Sequence, residues 1–503
     1  MAPRGAFSCT FAAMEIKQRL PERPASFDTI LAEMATYREH DADWKGGKVW
    51  SLVYHTDDAF SDFLKRAHNL FFSENALNPM AFKSLRRMEA EVVRMTASML
   101  NGDDQVAGTM TTGGTESILM AVKAYRERGK SLGIRQPEMV LPESAHVAFE
   151  KAGHYFNVKL RKAPLDRDYR VDLDAMRRLI NRNTVMLVGS APQYPQGVID
   201  PIEALGALAL EKKLPLHIDS CIGGFVLPWI ERLGRKIPLW DFRVPGVTSI
   251  SADVHKYGFS PKGASVVVYR SMDYLKHQFF ISTDWSGGVY ASATMPGTRS
   301  GGAISAAWAA MVGMGEEGYL RHTAELLEAF DLLRLGIPKI PGLTVVGEPE
   351  ASLLAWSSVG HETGKPQLDV YAVAEQMEAR GWTVDRQQYP ASVHLTVMSN
   401  HRKTAQAYLD DLRVSAAHVA AHPEQKSQGN AAMYGLMAKV PVRAFVRQGV
   451  QKVMESLYAP NPKFEPDPED AHLLPPPFRR YEPHVIRAID TLHDWRMRAQ
   501  RRR

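Results

Sequence analysis

The chain has 503 residues, 45% apolar and 23% charged, which suits a globular protein with a large core and two or three domains. Its 61 basic residues against 56 acidic ones leave a net charge of +5, too mild at this length to call for a nucleic-acid partner. Two cysteines, Cys9 and Cys221, argue against a disulfide framework and fit a reducing compartment, and no run of about 18 apolar residues offers a membrane span.

Residues 1–25 carry Pro3, Arg4, Pro21 and Pro24 without periodicity and read as a flexible arm. Their start is too poor in apolar residues for a signal peptide, so a soluble, cytoplasmic chain is expected. From Phe27 to Met99 the pattern is helical, with Leu85, Met88, Val92, Met95 and Met99 spaced as one core-facing stripe. From about Asn101 to Leu335 strands alternate with helices. The strands are Glu138–Leu141, Val185–Ala191, Leu216–Asp219, Val247–Ser251 and Ala264–Tyr269, and helices follow at Ile118–Arg126 and Ala204–Lys213. Such alternation predicts an α/β fold with a mainly parallel central sheet covered by helices on both faces.

Beyond Pro341 the strands Leu343–Val346, Leu353–Trp356 and Val393–Met398 interleave with helices at Asp369–Ala379 and Arg402–Ala421, a smaller C-terminal α/β domain. Pro460–Pro477 reads as an extended linker to a terminal helix. The basic end Asp494–Arg503 suits solvent or an acidic membrane surface. The expected division is therefore 1–100 for the arm and helical segment, 101–335 for the large domain and 336–503 for the small one.

Four features carry chemistry. Met110-Thr-Thr-Gly113-Gly114-Thr115-Glu116-Ser117 is a glycine turn feeding a helix, where free N–H groups and the positive dipole end suit a phosphate, with Thr115 as N-cap and donor. His146 follows a strand and can stack on a cofactor ring. Asp219 ends a buried strand, where α/β sheets bind ligands, and can pair with a protonated pyridine nitrogen. Lys256, beside His255, sits between two strands and can form a Schiff base with an aldehyde, as pyridoxal phosphate enzymes require. Taken singly, each has an ordinary alternative: a surface lysine, a capping aspartate, a plain loop, a polar histidine at a helix start.

The order of these parts, with the runs Asn183–Pro201, Asp241–Gly258 and Gln278–Ser292, resembles the pyridoxal-phosphate-dependent group II decarboxylases over about residues 45 to 460. Within that family it is similar to the branch that cleaves phosphorylated long-chain bases. The resemblance implies the fold type I architecture and a homodimer whose active sites borrow residues from the partner, notably the loop from Asp284 to Gly302. It implies cleavage of the C2–C3 bond of sphingosine-1-phosphate to a long-chain aldehyde and phosphoethanolamine, with no metal. Lys256 would hold the cofactor and Asp219 its ring nitrogen, with His146 stacked on the ring. Gly114 and Thr115, helped by Ser251 or His255, would anchor its phosphate. Tyr194 would act as acid or base toward the 3-hydroxyl, and Lys262, Tyr54, Asn78 and Thr298 would hold the substrate phosphate.

Two departures stand out. Asn78 replaces a histidine of the family pattern, and in Gly297-Thr298-Arg299-Ser300-Gly301-Gly302 a threonine and a serine replace a serine and a proline. The hydroxyl survives, and the rigidity of the turn is in question. The rival on the same scaffold is an amino-acid decarboxylase, which would use the same Lys256, Asp219 and His146. A catalytically silent binding protein would be expected to have lost one of these residues, and a nicotinamide enzyme would need G-x-G-x-x-G, which the glycine turn lacks.

Overall fold

A computed structural model describes residues 17–423 and 443–461 of the chain. Cys9, the proline-rich segment after Asn461, the expected terminal helix and the basic end lie outside the described residues.

Seven strands form one sheet: β1 (Ala107–Thr111), β2 (Glu138–Pro142), β3 (Lys159–Ala163), β4 (Thr184–Ser190), β5 (Leu216–Asp219), β6 (Val247–Ala252) and β7 (Ser265–Tyr269). Their order is β1-β7-β6-β5-β4-β2-β3. Only β7 runs against its neighbours, pairing antiparallel with β1 and β6. Alternate residues of β2, β4 and β7 enter two cores, while the apolar residues of β5 and β6 enter one. Val140, Leu187, Ile250, Val266 and Val268 face one, with Val92 and Val93 and with Ile304, Phe330 and Leu333 of the long helix Gly301–Gly336. Met139, Leu141, Val188, Val267 and Tyr269 face the other, with Ile118, Val122 and Phe149. A parallel sheet buried on both faces is the reason these strands read as continuous apolar runs. Five of the seven strands fall within one residue of the segments expected from sequence. The edge strand β3 was missed because its Lys-Leu-Arg-Lys-Ala run is half exposed and charged.

A second, antiparallel sheet holds β10 (Leu343–Val345), β11 (Leu353–Ser358), β12 (Asp385–Gln388) and β13 (Ala391–Thr396), and a hairpin joins β8 (Phe280–Ser282) to β9 (Tyr290–Ser292). The helical stretch expected over Phe27–Met99 is instead three helices, α1 (Phe27–Tyr37), α2 (Asp58–Asn69) and α3 (Lys83–Met99). Between α1 and α2 the chain runs along the second sheet. Val49 bridges Thr383, and the Thr396 N–H donates to the Trp50 carbonyl at 2.7 Å. Trp50 is 1% exposed there, against His401 and Tyr408, so burying its ring selects the extended path over a helix. That path delivers Tyr54 to the large sheet.

The long helix starts where Ser300, at φ −62°, caps it by accepting from the Ala303 N–H at 3.4 Å. That φ is one proline also adopts, so serine keeps the turn's shape and adds a cap. Neighbouring Arg299 grips Glu89 of α3 through contacts of 2.6 and 3.1 Å, with 13% and 8% of the two side chains exposed. Arg299→Ala would leave a buried carboxylate without its counter-charge. A loss of about 3–5 kcal/mol is expected in a denaturant melt, and an unchanged midpoint would mean that the pair contributes nothing.

Candidate active site

The C-terminal ends of β1, β2, β4, β5 and β6 deliver the chemically active residues to one edge of the sheet, where α/β folds bind ligands. From β1 the chain turns into helix α4 (Gly114–Ser131). Its N-cap is Gly113, and Thr115 lies inside the first turn, so the expected capping role of Thr115 is corrected. The reason is room. A Cβ on Gly114 would stand 2.7 and 2.8 Å from the two Asp253 carboxylate oxygens and 2.8 Å from Cys221 Sγ. Only glycine lets the helix start so close to the sheet. Gly114→Ala is therefore expected to cost about 1–3 kcal/mol and to weaken phosphate binding at the helix end, as thermal melts and cofactor titration would record.

At the end of β5, Asp219 is 8% exposed. Its Oδ1 accepts from the Cys221 N–H at 3.1 Å and from Ser251 Oγ at 3.5 Å. Ser251 also meets His217 Nε2 at 3.4 Å, and burial lowers the pKa of His217 to about 4, leaving that ring neutral. Ser251 thus braces Asp219, and it meets Cys221 Sγ at 3.2 Å beside the helix start. His146 is exposed after β2, its Nδ1 accepting from the Ala148 N–H at 3.2 Å.

Lys256 follows β6 in a tight turn. Its Nζ lies 2.9 Å from Asp253 Oδ2, and His255 Nε2 lies 3.7 Å from the same oxygen. Burial disfavours the charged lysine, but the Asp253 charge outweighs it and raises the Lys256 pKa above its ordinary value. Burial lowers that of His255. The Lys262 ammonium sits 5.0 Å over the Tyr54 ring, and Tyr54 packs edge-on against Tyr257. Although Lys262 reaches the surface, partial burial and then the nearby Lys256 charge bring its pKa down to about 8. Burial pushes the Tyr54 phenol up to about 12.

Tyr194, after β4, stacks on His394 with centroids 4.1 Å apart and donates to Asp385 Oδ2 at 3.3 Å, so β12 and β13 also reach the site. Burial and Asp385 both raise the phenol's pKa. Asn78 and Thr298 belong to a second group. The loop of Asn78 pairs with that of Thr298 through the Asn75–Ser300 bridge, and Asn78 Oδ1 accepts from the Met80 and Ala81 N–H groups at 3.0 and 3.3 Å. The described contacts of these two residues do not join them to Lys262.

The sequence reading passed over Asp253, His394 and Asp385. Asp253 carried a signal, because its spacing of three from Lys256 on a turn allows an ion pair. Asp385 carried none, being one acid in a polar edge strand.

A glycine cradle at a helix N-terminus, a strand-end aspartate, an open imidazole and a lysine in a turn after a parallel strand fit pyridoxal phosphate in the chemistry of their donors and charges. A sheet of this topology beside a smaller antiparallel one is the fold type I architecture of enzymes that use it. The family model for the pyridoxal-dependent decarboxylase conserved domain matches residues 15–358. The chain is 41% identical over 446 residues to rat (Rattus norvegicus) sphingosine-1-phosphate lyase 1, covering 88% of this chain and 77% of that protein. It is 43% identical over 438 residues to the sphingosine-1-phosphate lyase of Arabidopsis thaliana, covering 85% and 79%. A solved structure of the Burkholderia pseudomallei sphingosine-1-phosphate lyase superposes with a TM-score of 0.79 at 38% identity, over 88% of this chain and 98% of that one. The chain belongs to the pyridoxal-dependent decarboxylase family and, within it, to the sphingosine-1-phosphate lyases.

Proposed function

We propose that this protein is a pyridoxal-phosphate-dependent aldehyde-lyase that cleaves the C2–C3 bond of sphingosine-1-phosphate and related phosphorylated long-chain bases, releasing a long-chain aldehyde and phosphoethanolamine. The observation that carries this reading beyond the family is the pairing of Lys262 with Tyr54 beside Lys256, a distal cation where a substrate phosphate needs one. A decarboxylase of amino acids with uncharged side chains has no use for that cation.

When bound, pyridoxal phosphate supplies an aldehyde for amine condensation and a pyridinium that accepts the electron pair left at C2. The protein does the rest. Lys256 would hold the cofactor through its amino group. Asp219, braced by Ser251 and the Cys221 N–H, would face the ring nitrogen and keep its proton. His146 would cover the ring, and Gly114, Thr115 and His255 would hold the cofactor phosphate. Tyr194 moves the proton of the 3-hydroxyl, with Asp385 as its acceptor. Lys262 and Tyr54 take the substrate phosphate.

The reading includes a homodimer in which Asn78 and Thr298 serve the partner's site, which accounts for their separation from Lys262. In support, α1 buries none of its residues although Phe27, Leu31 and Met34 are apolar, and the β8–β9 hairpin exposes Phe280, Ile281, Trp285 and Val289. The division into residues 1–100, 101–335 and 336–503 and a cytoplasmic setting go with it. Among the described residues no helix is long and apolar enough to cross a membrane. Turnover in heavy water tests the bond cleaved. One deuterium is expected on the amine-bearing carbon of phosphoethanolamine, and an unlabelled product would overturn the assignment.

A further inference from the structure

Asp253 lies at the floor of the site with 1% of its side chain exposed. Its backbone N–H is tied to the Cys221 carbonyl at 3.2 Å, and its own carbonyl accepts from the Lys256 N–H at 3.2 Å, so the turn that carries the lysine also fixes the acid. One oxygen, Oδ2, faces Lys256 and His255. The other, Oδ1, makes no hydrogen bond of ordinary geometry, although the Ser265 hydroxyl lies near the carboxylate. That hydroxyl donates to the Ala252 carbonyl at 3.2 Å and lies 2.8 Å from Ser117 Oγ. Gly114 closes the floor from above.

A carboxylate buried this deeply is costly unless a cation answers it. Every element around the pair bears on that balance. Cys221 faces it from the end of β5, with Asp219 behind, and Tyr54 faces it from the segment before α2. Thiol and phenol are both shifted upward and are neutral near pH 7. His255 is shifted downward, and Lys262 is the further cation in reach. The charge that answers Asp253 at 2.9 Å is therefore Lys256.

Resting on the reading of Lys256 as the cofactor lysine, we infer that Asp253 is a positioning residue, the standing counter-ion that holds the Lys256 amino group at the site floor and keeps it an ammonium whenever it is not bonded to the cofactor. To bond the cofactor aldehyde, Lys256 would first give a proton to solvent, with the carbonyl oxygen leaving as water, and once freed by the substrate amine it would take up a proton again beside Asp253.

The test uses full-length protein freed of cofactor and trace-labelled with acetic anhydride across a pH series, with Lys256 modification read by mass spectrometry against exposed lysines. Asp253→Asn is expected to move the Lys256 profile down by about one to three pH units, so that labelling near pH 8 speeds about 10- to 1,000-fold. Asp253→Glu is expected to restore most of the wild-type profile. In cofactor-loaded protein the midpoint of the visible pH titration is expected to fall in the same direction. A folded Asn variant, checked by circular dichroism, with an unmoved profile overturns the inference. If that variant does not fold, the wild-type profile decides: a Lys256 labelling midpoint at or below that of the exposed lysines overturns the inference, since a standing counter-ion must hold it above them. Failure of borohydride to fix the cofactor on wild-type Lys256 would overturn the cofactor reading instead, leaving the labelling result to decide the ion pair.

Discussion

Lys256→Ala is expected to lower carbon–carbon cleavage by at least about 10⁴-fold, the scale of losing a covalent nucleophile. The other amine in the connection between β6 and β7 is Lys262, six residues on, with its ammonium over the Tyr54 ring. The substitution also leaves the Asp253 carboxylate unanswered, so a lower melting temperature accompanies the lost activity. Lys256→Arg separates the two effects. It keeps a cation against Asp253 and restores stability, but a guanidinium cannot condense with an aldehyde, so activity stays lost. Melts and turnover measured on both variants check this. Substantial activity in either would remove Lys256 from the chemistry.

Lys262→Ala is expected to be selective. It should reduce kcat/KM for a phosphorylated long-chain base about 10- to 100-fold while leaving cofactor affinity close to wild type, because truncating a charge that binds a phosphate removes that contact and little else. The pH dependence follows from the shifted amine. A phosphate carries its second charge above about pH 6, and Lys262 is charged below about 8. Substrate binding is therefore strongest between these values and weakens as pH rises through about 8 and the ammonium is lost. In the alanine variant that alkaline weakening should be absent. A KM profile for both proteins across this range checks it, and an unchanged alkaline limb would assign the titration to another group.

Much of this was readable in the sequence because a doubly covered parallel sheet writes itself as apolar runs. β5, Leu216–Asp219, ends on an acid just where the hydrophobic pattern stops. The positions of Lys256 and Gly114 were readable, in a turn between two buried strands and at a glycine pair before a helix, and it was their company and order that singled them out. The path of residues 41–57 was not readable, since the ring of Trp50 finds its pocket only when the second sheet, more than 300 residues later, is in place. For the same reason Tyr54 was reached through resemblance and not through pattern. Asp385 and His394 come to Tyr194 across 191 residues or more of sequence, and no local period marks them. Thr115 was misplaced by one step of reasoning: side-chain preference favoured it as N-cap, whereas the steric demand at Gly114 moved the helix start forward.

The most direct measurement is mass-spectrometric product analysis after the cofactor-loaded protein is incubated with sphingosine-1-phosphate and, separately, with a panel of amino acids, each beside Lys256→Ala. Phosphoethanolamine and a long-chain aldehyde in equal amounts from the wild-type protein alone are the predicted result. Carbon dioxide from an amino acid, with no cleavage of the phosphorylated base, would contradict it and leave Lys262 a surface charge.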